Sequence, residues 1–411
     1  MKVKVSSLII GLIEVLVLMH LCYFNIAFGS TKLFADSFVP KPRVLLYILM
    51  MFVTVALSIP YWRKKTVSFI FAEFAILLIP VTYAFVQKLG ADGVQFMDVV
   101  ALIRKYIYPI LAIPMIALLR CQRYDTIKMS KFIVIATTID TIVRAIDSFV
   151  EMLTGSLPWP NLVNGSMGYR NGIYRINPAG LDILVIPMAF YLLFFAIKRR
   201  EKIKWWMCIA INVAYAYIIW QARSAIIYKT ALVVICILVS RKIDKKKLIM
   251  IVIGICVAVV FLSSPVADAL FDSFAITNTE TGGSTFYRLN AISYFTQLYK
   301  QSRFWGIGLL NVTEGMAEGG GVLADVGLLY SVIQLGVLMA VFYIVMFSRG
   351  FFIAKKIRWS APENAMLTLS MTVSYILFNF NIDTFYLFNI SVPFYLAIIE
   401  LFAYEHQSDN N

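Results

Sequence analysis

Five arginines are the residues best placed to do chemistry. Arg170, Arg175, Arg223, Arg288 and Arg303 all lie between apolar runs, on the side where positive charge is otherwise scarce. A guanidinium is planar, permanently charged and matched to phosphate oxygens. Held at that depth, such groups can bind the linkage of a lipid-linked sugar pyrophosphate and stabilise charge building on a leaving group. The bland alternative is snorkelling to lipid headgroups. Arg223 is the most constrained, because its turn, 221–224, is very short.

Carboxylates supply the complementary chemistry. Asp325 follows GMAEGGGVLA at the opening of an apolar run. There it is either a general base for an acceptor hydroxyl or the cap of the following helix. Glu314 and Glu318 compete with it in the same Gly-rich stretch. Asp140, Arg144, Asp147 and Glu151 recur at spacings that put them on one helix face. They form either an ion-pair ladder inside a bundle or, at the outer end, a polar lining contributed by Asp147 and Glu151. A proton relay is a third reading. Arg104, Lys105 and Lys229 stand a little inside apolar runs and either extend a positive cavity or pair with the acidic stripe. The 5 cysteines match no metal spacing and avoid the outer segments, so no disulfide framework is expected. With only 2 histidines, a histidine-based metal site is not expected, and neither is a cofactor.

The elements that must carry these groups are membrane spans. Hydrophobic residues make up 60% of the 411 and charged residues only 15%, which excludes a soluble globular domain. Runs near the ~20 apolar residues that cross a ~30 Å hydrocarbon core recur throughout. They fall at 5–28, 44–61, 67–86, 99–119, 132–153, 181–197, 205–220, 225–239, 248–262, 324–347, 366–380 and 385–404. The expected fold class is thus an all-α polytopic membrane protein of about twelve transmembrane helices, read as one integral membrane domain over 1–411. Lysine and arginine are concentrated in alternate loops, which puts both termini inside. The net charge of +14 then reflects topology, and no nucleic-acid partner is expected. The first run carries Glu14 and His20 and reads as a retained helix, not a cleaved signal.

Two outer segments stand out by length, 154–180 and 263–323. Within the second, 285–303 has helical character, with Ile292, Phe295, Leu298 and Tyr299 on one side. Such a helix would lie along the headgroup layer. Gly306 and Gly308 then permit a tight reversal.

In order and spacing, residues 167–347 resemble the O-antigen polymerase and O-antigen ligase family. The carrying stretches are RNGIYRINPAGLDIL, QARSAIIYKTAL, FYRLNAISYFTQLYKQSRFWGIGLLNV and ADVGLLYSVIQLGVLM. The resemblance implies a fold like the GT-C-type glycosyltransferases, in the cytoplasmic (inner) membrane of a bacterium. It implies a metal-independent, inverting glycosyl transfer in an outer-face cavity, with 263–323 as the catalytic loop. Undecaprenyl-pyrophosphate-linked oligosaccharide would be both donor and acceptor. Arg223 and Arg288 would contact the donor pyrophosphate, with Asp325 as the candidate base. Arg170, Arg175, Arg303, Asp147, Glu151 and Lys229 are the expected substrate-binding set. Membrane lipids, a chain-length regulator and a flippase are the candidate partners.

Ligases of the family carry a histidine near the end of the long loop, where this chain has Val322-Leu323-Ala324-Asp325. A polymerase making capsule or exopolysaccharide is therefore the favoured expectation. The alternatives are a ligase moving glycan to a lipid, teichoic acid or protein, and a flippase or other twelve-span transporter.

Overall fold

Away from water each backbone N–H and C=O needs a partner within its own segment, so apolar runs of this length fold as helices. The computed structural model describes residues 4–21, 23, 41–62, 68–91, 93–159, 168–170, 172–178, 180–239, 282–311 and 313–408. In chain order the first helices are α1 (Val5–His20), α2 (Lys41–Ser58), α3 (Ser68–Leu89), α4 (Phe96–Ile107) and α5 (Ala112–Arg120). They are followed by α6 (Thr126–Thr154), a two-stranded antiparallel hairpin of β1 (Tyr169–Arg170) and β2 (Ile173–Tyr174), α7 (Asp182–Phe195), α8 (Arg199–Tyr215) and α9 (Arg223–Val239). Then come α10 (Gly282–Gln301), α11 (Leu329–Leu335), α12 (Val337–Lys356), α13 (Pro362–Asn379), α14 (Thr384–Leu387) and α15 (Val392–Ser408). The expected run 248–262 and the first part of the long loop lie outside the described residues.

The protein is a mostly helical membrane protein. Helical segments at Val44–Tyr61, Ile70–Leu89, Phe96–Arg120, Arg199–Trp220 and Val337–Lys356 are long and apolar enough to cross a bilayer, and Val5–His20 and Asp182–Phe195 are shorter apolar helices. Large side chains such as Leu49, Phe52, Ile79, Ile344 and Phe352 point outward, as expected of helices bathed in lipid.

Three expected runs are irregular. The fourth is one continuous helical segment that tightens to 3₁₀ geometry at Tyr108–Leu111, around Pro109, between α4 and α5. The last begins as the short α14 and a turn at Asn389–Ser391 before α15. The run expected at 324–347 is also not one helix. A turn at Leu323–Asp325 leads to α11, which stops at Gly336, and α12 starts afresh at Val337.

The stop at Gly336 has a clear cause. The end of α11 leaves carbonyls without helical donors, and residues 304–310 supply them. Ile307 N–H donates to Ile333 O (2.9 Å), Gly308 N–H to Gln334 O (3.1 Å) and Leu310 N–H to Gln334 Oε1 (3.2 Å). In return, Val337 N–H donates to Phe304 O (2.9 Å). Gly336 has φ +85°, and a Cβ there would stand 2.5 Å from Trp305 O. Only glycine allows both the conformation and the approach.

Buried ion pairs staple the interior. Lys229 on α9 donates to Asp182 Oδ1 on α7 (2.8 Å) and to Asn212 O on α8 (2.8 Å). Far from the hairpin, Arg349 on α12 joins Glu73 on α3 (3.2 Å) and Glu400 on α15, which also accepts from Arg120 (3.1 Å). Pairing is what makes charge tolerable there.

Candidate active site

The site is built outward from α6. Arg144 pairs with Asp140 (2.7 Å) one turn below it and donates to Asn177 O (3.2 Å). Asp147 Oδ1 accepts from Trp159 N–H (3.0 Å), Ser148 Oγ donates to Tyr174 O (2.5 Å), and the Tyr169 hydroxyl donates to Glu151. The acidic stripe is therefore a staple at its inner end and a row of fasteners for residues 159–177 at its outer end. Asp147 is fully buried and Glu151 is taken up by Tyr169, so the structure gives both a holding role in place of the expected cavity lining.

The fastened hairpin in turn clamps the next turn. Arg170 Nη1 donates to Gln221 O (2.9 Å) and Arg175 Nε to Trp220 O (2.8 Å). These carbonyls close the π-helical turn Ala216–Trp220 that ends α8, and Gln221 is left-handed (φ 49°). Cations at a helix C-terminus satisfy orphan acceptors and match the dipole. Trp220 anchors the turn from below, stacked on Phe378 with centroids 6.5 Å apart. Arg223, the first residue of α9, comes two residues after this clamped turn.

Arg288 arrives from α10. That helix buries Ala291 and Phe295 against Leu323, Val326 and Ile333, close to the expected apolar face. Asn290 Nδ2 donates to Glu318 O (2.8 Å) and Gly320 O (2.7 Å), docking the Gly-rich stretch on the helix. Gly321 (φ +101°) passes so near that a Cβ would fall 2.1 Å from Tyr287 O. Gly321→Ala is expected to force the stretch off α10 at a cost of ~1–3 kcal/mol, read as a lower midpoint of thermal unfolding.

Electrostatics show which groups share the site. Burial lowers the Arg223 pKa, and the positive charges of Arg170 and Arg288 add to that. Burial, then Arg170 and Arg223, push Arg175 down to about 10. The surrounding protein raises the Asp325 carboxyl, while Arg288 pulls it back toward ionisation. Arg170, Arg175 and Arg223 thus lie within one another's fields, Arg288 within that of Arg223, and Asp325 within that of Arg288. Among the described residues, Arg170, Arg175 and Arg288 make no ion pair, and Arg288 Nε is buried without a hydrogen-bond partner. Like charges so disposed call for an anion.

The other expected members stand elsewhere. Lys229, 1% exposed, is enclosed by Asp182 and Asn212 and is not available to a substrate, which corrects the expectation from sequence. A lysine this deep in a bundle must be paired, and its partner was the unremarked Asp182. Arg303 is exposed beyond the far end of α10, with φ 54°, and no interaction joins it to the other four. Glu314 binds Lys88 (2.6 Å); burial alone would raise its carboxyl, but Lys88 and the Asn311 N–H hold it below the usual range. Glu318 is exposed and offers its backbone carbonyl to Asn290.

Sequence reasoning missed a polar cluster behind Asp325. Asp383 is fully buried, accepts from the Tyr343 hydroxyl (2.8 Å) and Ser331 N–H (3.3 Å), and caps α14 through Phe385 N–H (2.7 Å). The Lys105 ammonium donates to the Tyr330 hydroxyl and lies 4.3 Å over its ring. Tyr386 packs on Tyr330 with centroids 5.1 Å apart and senses the Asp325 charge. Lys105 therefore joins neither the arginines nor the acidic stripe. The available signal was Asn379, Asn381 and Asp383, three polar residues at and just after the end of one apolar run and before the next.

No protein-family model matches the chain, and no curated protein matches it in sequence. Function therefore has to be argued from the site itself. Chemically, the arrangement offers guanidinium forks for a diphosphate and an accessible carboxylate beside them for a proton.

Proposed function

We propose that the protein joins oligosaccharide units carried on polyprenyl pyrophosphate, at the outer face of a bacterial cytoplasmic membrane. It acts as a polysaccharide polymerase of the O-antigen polymerase and ligase type. A hydroxyl of one lipid-linked unit attacks the anomeric carbon of the glycan on another carrier. The new C–O bond forms as the bond to the diphosphate breaks. The hydroxyl proton passes to Asp325, and the polyprenyl diphosphate leaves with the electron pair, its charge held by Arg223 and Arg288. Binding both substrates side by side supplies much of the remaining acceleration. What supports this reading is that Arg288, remote in sequence from Arg223, lies within the fields of both Arg223 and Asp325 and keeps a buried guanidinium N–H without a partner.

The direct test is the purified chain in proteoliposomes with a synthetic lipid-linked oligosaccharide. Lengthened, carrier-linked glycan is expected; translocation without lengthening would make the protein a flippase.

The pH dependence follows from Asp325. A base works ionised, so elongation is expected to fall on acidification. Because the carboxyl sits above the ordinary value of ~3.9, the acid limb lies higher than for an exposed aspartate. Arg288→Gln removes the pull toward ionisation and should move the limb of the residual rate to higher pH. Rates measured against pH decide this: an acid limb that persists unchanged in Asp325→Asn excludes Asp325 as the base.

A further inference from the structure

Trp305, two residues after Arg303, lines a second feature that the arginine group does not use. A cavity of about 250 Å³ opens between α3 and the broken helix pair α11–α12, lined by Ile79, Pro80, Tyr83, Trp305, Val337 and Leu338. Its walls are apolar apart from the Tyr83 hydroxyl and the Trp305 indole N–H, whose rings meet at 6.5 Å. Trp305 (61% exposed) and Tyr83 (52%) are amphipathic rings of the kind enriched at membrane interfaces. Pro80 leaves one helix rung without a donor on this side. The wall is rigid because Phe304 and Ile307 are hydrogen-bonded to the α11–α12 break. Two residues before Trp305 stands Arg303, with Lys300 one turn earlier, both exposed and without an ion-pair partner among the described residues.

An apolar slot walled by two amphipathic rings, with Arg303 and Lys300 only two and five residues before its Trp305, fits a lipid that has a phosphate head and a single long chain. Arg303 lies fifteen residues from Arg288 along and just past α10, roughly 20 Å at 1.5 Å per residue, so it cannot grip the same diphosphate. We infer that this cavity seats the polyprenyl chain of a second lipid-linked substrate, the acceptor, with its phosphate on Arg303. The inference rests on reading the protein as an enzyme that joins two lipid-linked units. In it, α10 spaces the two carriers, Arg288 at one end and Arg303 at the other, and the saccharide of the acceptor reaches back to Asp325.

The test is photolabelling of the full chain in phosphatidylcholine nanodiscs with a diazirine-bearing polyprenyl diphosphate, followed by peptide mapping. Label is expected on the peptides holding Tyr83, Trp305 or Val337–Leu338. Unlabelled polyprenyl diphosphate should compete it away, and phosphatidylglycerol should not. Arg303→Ala should weaken that competition ~10-fold, the worth of one charged hydrogen bond, and Leu338→Trp should fill the slot and abolish the label. Arg223→Ala should leave it in place. Label absent from those peptides, equal competition by phosphatidylglycerol, or competition unchanged in Arg303→Ala each overturns the inference. Failure here with elongation still dependent on Arg223 and Arg288 removes only the second site. Labelled peptides with elongation independent of those arginines would instead remove the proposed chemistry.

Discussion

Arg288→Ala is expected to cut elongation on the order of 10²–10³-fold, the loss seen when one preorganised donor to a developing anion is removed. Arg223→Ala should behave alike. The double variant should lose less than the product of the two, because both groups serve one leaving group. Lysine at 288 should restore part of the rate, since it returns the charge but not the fork. Stability should move the other way. The guanidinium groups repel one another, so removing one is expected to leave the unfolding temperature unchanged or higher. A site that trades stability for function behaves so. Chain-length ladders and unfolding midpoints on the same preparations separate the cases. Loss of both together would mean that these arginines hold the fold, not a substrate.

The second large effect concerns Lys229. Lys229→Met strands the Asp182 carboxylate in the bundle with its pair removed, and breaking a buried pair in this way costs about 3–5 kcal/mol. Pairing Lys229→Met with Asp182→Leu removes both charges and should recover most of the loss. Thermal unfolding in detergent, with the amount of inserted protein as a second readout, tests this. A single variant as stable as the parent but inactive would return Lys229 to the substrate site.

The fold class was legible because lipid leaves a chain few choices: long apolar runs had to be helices, and most were found near their expected places. The helix at 285–303 was legible too, since its apolar residues repeat at helical spacing. The break at Gly336 was not. Hydropathy runs smoothly through it, and the break exists only because distant residues 304–310 bring amides to it. Residue type and location singled out Arg223 and Arg288, whose fields overlap in the structure. The roles of Arg170 and Arg175 were not, because their partners are the main-chain carbonyls of residues 220 and 221, which no side-chain pattern announces. Lys229 misled for a related reason: an isolated lysine in an apolar run looks functional until its carboxylate partner on another helix is known.

The junction between α11 and α12 also carries information about how the protein is made. Seven residues of α11 are too few to cross lipid, and the carbonyls of Ile333 and Gln334 near its end accept from the stretch that precedes them in the chain. During synthesis that stretch leaves the ribosome first. The amides that receive α11 are thus already delivered when it emerges, and α12 can thread onward as a complete span. Reversing that order, by circular permutation between 311 and 322 for example, would present a half-helix to the bilayer with nothing to finish it.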